Sequence, residues 1–576
     1  MKRFLAYLAP YRSEAVLGPL FKMLEALLEL FIPLVVADIV DIGIATGNKG
    51  YILSRAGLMV LLGMVGLAFS ITAQYFSAKA AVGVATDMRY ALFSHIGRLS
   101  HEATDRFGTA TLLSRTTADI AQISTATNMV LRLFLRSPFI VFGAMIMAFT
   151  VSPRAALVFL VTIPLLSVVV FGIMIVSIRL ARRVAGGLDL VLRNTREGLH
   201  GARVIRAFVR EKETVADFCE DNAAYTRLQR FTGRFTALLN PLTYVIINLS
   251  VLAIIWRGGV EVDGGVISQG AVVALYNYMS QILVELIKLA NFIILITKAC
   301  AAGSRINRIF DTPTGLPVSD APKTPTKPLG AVSFEHVSLA YHQDADAALR
   351  DITFSAEPGE VIGIIGGTGT GKSSLVSLIP RFYDVTAGRV TVGGIDVRDF
   401  ESPEALRARI GMVPQRAELF SGTVRDNLTF GSRGATDKEL LEALAAAQAL
   451  DFITEKGGLD AMLTTGGKNL SGGQRQRLTV ARALVRRPDI LILDDSASAL
   501  DYATDAALRA ALKALPYRPT TFIVSQRTAS ILHADRTVVL EDGRAIAIGT
   551  HEELLATCAL YREIHATQFG EGEVGA

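Results

Sequence analysis

The residues best suited to chemistry lie in Gly366-Gly367-Thr368-Gly369-Thr370-Gly371-Lys372-Ser373, a glycine-rich run closed by a cation and a hydroxyl. The apolar run Val361 to Ile365 precedes it and a helical pattern follows, the strand-to-helix setting in which such a loop binds phosphate. Gly366, Gly369 and Gly371 let backbone N–H groups converge on the anion, and the helix N-terminus adds positive potential. Lys372 then reaches the β and γ oxygens of a nucleotide, the Ser373 hydroxyl ligates Mg²⁺, and Ser374 completes the binding turn. A second apolar run, Ile490 to Leu493, ends in Asp494, a carboxylate placed to orient that Mg²⁺; alone it is a weak signal. Between the two lies Leu470-Ser471-Gly472-Gly473-Gln474, ahead of a helical stretch. Ser471, Gly472, Gly473 and Gln474 offer exposed amides and a hydroxyl at another helix start, hence a second phosphate-binding surface.

These loops need a scaffold. Short apolar strands at Val361 to Ile365, Ile490 to Leu493, Thr521 to Val524 and Thr537 to Leu540 alternate with helical segments and predict an α/β domain over residues 331–576. A proline-rich polar stretch, 311–330, reads as the linker in front of it. Residues 1–310 are of another kind. Of 576 residues 51% are hydrophobic and only 19% charged, with mean hydropathy +0.40, which excludes a purely cytosolic enzyme, a disordered scaffold and a fibrous rod. Stretches 56–78, 137–153, 155–178, 235–256 and 264–284 carry no Asp, Glu, Lys or Arg, and a bilayer core needs about 20 apolar residues per helix. With 14–43, interrupted by Lys22, Glu25, Glu29, Asp38 and Asp41, they predict six spans, the third and fourth joined in a tight hairpin at Ser152-Pro153-Arg154.

Lysine and arginine number seven between Lys79 and Arg136 and twelve between Arg179 and Arg234, while the opposite-side loops hold few. Both termini and both long loops are therefore expected to be cytoplasmic, with residues 2–12 on the inner face and no cleavable signal peptide. The loops, about 79–136 and 179–234, read as helical extensions of the spans rather than as loose chain. A net charge of +5 without a basic arm argues against a nucleic-acid partner, and Cys219, Cys300 and Cys558 have no ligand-like spacing.

Leu470 to Gln474 placed between the phosphate loop and Asp494 resembles an ATP-binding-cassette (ABC) ATPase, and behind six spans the whole chain resembles an ABC exporter half-transporter. The resemblance implies a six-span helical membrane domain followed by an α/β P-loop ATPase, with ATP and Mg²⁺ as cofactors. By position it makes Tyr341 the aromatic that stacks on adenine, Gln415 the residue that senses Mg²⁺ and the membrane domain, and Ser498 to Asp501 the loop beside the second nucleotide. Tyr341 also fits a plain strand aromatic in the core. The resemblance further implies that two chains sandwich two ATP molecules, each between the phosphate loop of one chain and Ser471 to Gln474 of the other. Coupling helices are implied at Arg106-Phe107-Gly108-Thr109 and His200-Gly201-Ala202-Arg203, segments that also fit ordinary helical turns.

Two departures stand nearest the chemistry. Efficient members of the family carry Glu after the Asp that ends the strand; this chain has Asp495, one methylene shorter. Where the family has a switch histidine, this chain has Gln526, which bonds to phosphate but cannot become a cation near neutral pH. A further departure, Thr464 to Lys468, lacks the Glu many exporters carry there. The expected protein is the hydrolysis-impaired half of a heterodimer, resembling the degenerate-site subunit of bacterial multidrug exporters. It lends Ser471 to Gln474 to a competent partner site and moves hydrophobic or amphipathic compounds outward across the cytoplasmic membrane. The alternatives are the same architecture with a lipid, peptide or siderophore as cargo, or an ATP-gated regulatory subunit. Within the spans, Lys22, Glu25, Glu29, Glu285 and Lys288 are expected to pair internally. Asn240, Asn248, Tyr276, Asn277 and Gln281 are expected at a substrate cavity.

Overall fold

The computed structural model describes residues 2–316, 322–341 and 346–569, so part of the expected linker, 317–321, lies outside the described residues. The chain divides into two compact units, Met1–Gly97 with Gly108–Thr312, and Arg98–Phe107 with Pro313–Ala576.

In the first unit five helices are long and apolar enough to cross a membrane: Lys49–Ile96, Thr109–Val151, Pro153–His200, Glu211–Asp263 and Gln269–Phe310. The first expected span is a 27-residue helix, Arg12–Asp38, continued by a π-helical turn at Ile39–Ile44. Its length suffices, but Lys22, Glu25 and Glu29 interrupt its apolar residues. All five apolar helices exceed 40 residues, which at about 1.5 Å per residue is at least about twice the thickness of a bilayer core. The Lys49–Ile96 helix buries Ala73, Ser77, Ala80, Ala81 and Ala85, small side chains that let helices approach closely. At the 152–154 hairpin, Ser152 caps the Pro153–His200 helix by accepting from the Ala155 N–H at 3.1 Å and donates its own proton to Glu261 Oε2 at 2.7 Å.

Paired charges make the Arg12–Asp38 helix tolerable in an apolar unit. Lys22 bonds Glu25 at 2.5 Å and Ser70 at 3.1 Å, and Glu285 bonds Lys288 at 2.8 Å. Glu29 is bonded not by Lys22 but by Arg136, at 2.6 Å, and the same guanidinium bonds Glu285 at 2.6 Å. Arg136 is 6% and Glu285 3% exposed, and Ser137 adds a third bond to Glu285 at 2.7 Å.

The second unit is built on sheets. β1 (Val332–Leu339), β2 (Leu349–Ala356), β4 (Ala387–Val392) and β5 (Ile395–Asp396) form an antiparallel sheet in the order β2-β1-β4-β5. β3 (Val361–Gly366), β6 (Ile410–Val413), β9 (Ile490–Asp494), β10 (Thr520–Val524), β11 (Arg536–Glu541) and β12 (Arg544–Gly549) form the second, ordered β12-β11-β3-β10-β9-β6. All neighbours in it are parallel except the edge pair β11-β12. A two-residue pair, β7 (Gly422–Thr423) and β8 (Met462–Leu463), stands apart. The four strands expected from apolar runs are the contiguous centre, β11-β3-β10-β9. Along β9, Leu491 and Leu493 pack into one core and Ile490 and Ile492 into the other. A strand buried on both faces reads as an unbroken apolar run, which is why these were legible.

Candidate nucleotide site

β3 ends in a loop that only glycine closes. A Cβ on Gly366 would stand 2.3 Å from the Leu540 carbonyl oxygen, and one on Gly371, at φ +91°, would stand 2.6 Å from that of Ala348. The loop feeds the Lys372–Ser377 helix. Lys372 is buried, and its Nζ donates to the Gly366 carbonyl at 2.9 Å and to that of Gly367. Burial pushes its pKa down, while Asp495 and Asp494 favour the charged form. The ammonium thus rests on neutral carbonyls, partners that an anionic phosphate out-competes.

Asp494, at the end of β9, is 6% exposed and accepts from Ser373 Oγ at 2.8 Å. Burial pushes its carboxyl up, against the Ser373 bond. A hydroxyl and a carboxylate already in contact fit Mg²⁺, which is held by one or two protein oxygens plus substrate phosphates rather than by an all-protein cage.

Asp495 sits at φ +45°, its N–H donating to the Val524 carbonyl at 3.0 Å across to β10. Gln415 Nε2 donates to its Oδ2 at 3.2 Å, and Ser498 Oγ donates to its carbonyl at 2.8 Å. Burial pushes the Asp495 carboxyl up as well. Tyr341 is not in the core: it is 37% exposed, with its hydroxyl 2.7 Å from Ser374 Oγ. These groups converge on a cavity of about 420 Å³ lined by Tyr341, Gly369, Gly371, Lys372, Ser373, Ser374, Gln415, Asp494, Asp495 and Gln526. Gly366 begins the loop without lining it.

Ser471, Gly472, Gly473, Gln474 and Asp501 are not among the lining residues. Ser471 caps the Gly472–Leu484 helix: its Oγ accepts from the Gln474 N–H at 3.3 Å, while Gln474 Oε1 accepts from the Ser471 N–H at 3.0 Å. That reciprocal box satisfies two N–H groups and leaves those of Gly472 and Gly473, at the helix's first two positions, without intrahelical acceptors. Asp501 caps the Tyr502–Lys513 helix, accepting from the Thr504 N–H at 3.1 Å. Thr368, within the phosphate loop, and Val524, at the end of β10, also line the cavity, as does Ala348, which no sequence signal marked. Arg527, legible only as the neighbour of Gln526, donates to the carbonyls of Ser498 at 3.2 Å and Leu500 at 3.4 Å.

Residues 16–286 match the ABC transporter transmembrane region family and residues 349–498 the ABC transporter family. An ABC transporter ATP-binding protein of Mycobacterium tuberculosis is 38% identical over 575 residues, 99% of this chain and 98% of the relative. An ATP-dependent lipid A-core flippase of Hahella chejuensis is 30% identical over 577 residues, 99% and 97% of the two chains. The solved structure of a bacterial Atm1-family ABC exporter with ATP bound superposes with a TM-score of 0.82, at 24% identity, covering 97% of this chain and all of that one. A glycine cradle, a paired Ser373 and Asp494, and matched relatives along the full length lead to one conclusion: the chain belongs to the ABC transporter family, with its transmembrane region and its ATPase domain fused in one polypeptide.

Proposed function

We propose that this chain is one half of an ATP-driven exporter whose own nucleotide site binds MgATP and hydrolyses it slowly. The observation that carries this is the lining of the cavity: Asp495 and Gln526 share it with the phosphate-loop residues, where a longer carboxylate and an imidazole belong to the efficient form. Lys372 and the loop amides bind the phosphates, Tyr341 stacks on the base, and Gln415 orients Asp495 through its 3.2 Å bond. Ser373 and Asp494 would hold Mg²⁺, which would supply neutralisation of the phosphate charge. Asp495 is the base that aligns the attacking water, and its shorter reach, displaced by about 1 Å, lowers the rate by on the order of 10²-fold.

Ser471 to Gln474 lie outside the cavity of their own chain, which supports a two-chain sandwich in which the Gly472 and Gly473 amides bind the partner's nucleotide. A second half-transporter with Glu and His at the matching positions then supplies the competent site. In this reading residues 1–310 form the membrane domain, 311–330 the linker and 331–576 the ATPase. Both termini are cytoplasmic, and the segments around 106–109 and 200–203 transmit closure to the helices. The cargo is hydrophobic or amphipathic. An amphipathic lipid is the favoured class, because a full-length relative is a lipid A-core flippase. Asn277 and Gln281 line a cavity of about 290 Å³ with Glu29, Glu285 and Lys288, and Gln281 Oε1 is buried there with no protein partner. Asn240, Asn248 and Tyr276 do not line it.

The test is ATP turnover by the purified chain in lipid nanodiscs. Slow phosphate release that accelerates in the Asp495→Glu, Gln526→His double variant is the expected result. Brisk release by the unmodified chain overturns the proposal.

A further inference from the structure

The segment Arg98–Phe107 lies between two stretches of the membrane unit in sequence, yet it packs as part of the ATPase unit. Its helix, His101–Phe107, does so through two side chains. Asp105 Oδ2 accepts from the Tyr383 hydroxyl at 2.8 Å, and the His101 ring lies 4.1 Å, centroid to centroid, from Phe382. Both aromatics sit in a braced turn: Arg381, 3% exposed and at φ +51°, bonds Asp384 at 2.6 and 3.0 Å, and Arg407 donates to the carbonyls of Pro380 and Arg381 at 3.0 and 2.8 Å.

Tyr383 also touches Tyr341, which lines the nucleotide cavity. Its ring stands edge-on to Tyr341, with centroids 5.0 Å apart and planes at 89°, the favourable perpendicular geometry for two aromatics. Tyr341 in turn is tied by its hydroxyl to Ser374, in the first turn of the helix that begins with Lys372. The Tyr383 hydroxyl is kept as a donor, because burial and the Asp105 carboxylate both push its pKa up.

We infer that Tyr383 and Asp105 are positioning residues that set the orientation of Tyr341, so that the Arg98–Phe107 segment and the base-stacking surface read one another directly. This rests on the proposed role of Tyr341 and deepens it. It describes a route separate from Gln415, which touches Asp495 at the phosphate end. A shift of the segment turns Tyr383 through its hydroxyl, Tyr383 tilts Tyr341 through the ring edge, and affinity for the base changes. Linkage makes the effect reciprocal: a base that fixes Tyr341 also fixes the segment.

The experiment measures binding of MgATP and of Mg-triphosphate, which lacks base and sugar, to the full chain in nanodiscs. The variants are Tyr383→Phe, Asp105→Ala and their combination. Tyr383→Phe deletes one hydroxyl and keeps the ring, so folding is preserved. The expected result is weaker ATP binding by on the order of threefold to tenfold in each single variant, the worth of one hydrogen bond, no further loss in the double variant, and unchanged triphosphate binding. Unchanged ATP affinity, multiplicative losses, or equal losses for ATP and triphosphate each overturn the relay. Failure of the unmodified chain to bind ATP, or no loss in Lys372→Ala, would instead overturn the nucleotide site itself.

Discussion

At Asp495 a backbone turned to φ +45° presents a short carboxylate to Gln415 at one edge of the cavity. A base acts only when ionised, so turnover is lost as pH falls through its pKa. Burial raises that pKa, so the acid limb of the rate profile is expected above the ordinary aspartate value of about 3.9. A profile flat down to that value would contradict the base assignment. Gln526 brings no titrating imidazole, so no further limb near pH 6 to 7 is expected until Gln526→His introduces one. Turnover in Asp495→Glu combined with Gln526→His should rise by up to on the order of 10²-fold, as read by phosphate release. Both substitutions were legible in the sequence because they sit at fixed offsets from the ends of β9 and β10. The bond from Gln415, 80 residues away from Asp495, was not.

Among the elements, the Arg12–Asp38 helix is tied to its neighbours by a charge network. Its Glu29 and the Glu285 of the Gln269–Phe310 helix share one buried guanidinium, Arg136. Truncating Arg136 leaves Glu285 buried with only Lys288 and Ser137, and loss of one partner from a buried pair costs about 3–5 kcal/mol. Arg136→Ala should therefore lower the thermal midpoint of the protein in nanodiscs, and adding Glu285→Gln should restore part of it. A midpoint unmoved by Arg136→Ala would show that the network contributes nothing. Spacing alone found the pairs Lys22 with Glu25 and Glu285 with Lys288, because three residues is one helical turn. It offered Glu29 as an alternative partner for Lys22, whereas Arg136 holds Glu29 from 107 positions away.

For the whole molecule, the decisive feature is that the phosphate loop lines the cavity while the helix start at Ser471 to Gln474, proposed to bind the partner's nucleotide, lies outside it. Addition of a partner half with Glu and His should raise turnover well above that of this chain alone. On the proposed two-chain sandwich, Ser471→Ala here should then slow the mixed complex while ATP binding to this chain's own loop stays intact. Equal turnover by the single chain and the mixed complex would remove the need for a dissimilar partner.

By itself the sequence determined the division into an apolar helical part and an α/β ATPase, the four central strands, and the identity of most residues lining the cavity of about 420 Å³. These are local properties: hydrophobic runs reflect which solvent an element must face, and a glycine-rich loop followed by Lys and Ser has one efficient use. Tertiary structure alone decided which side chains meet. It put Arg136 between two glutamates, Arg527 on the 498–500 loop, and Asp105 on Tyr383, 278 residues apart. It also placed residues 98–107 with the ATPase. Such pairings arise from packing of distant elements, for which neither periodicity nor motif spacing carries any record.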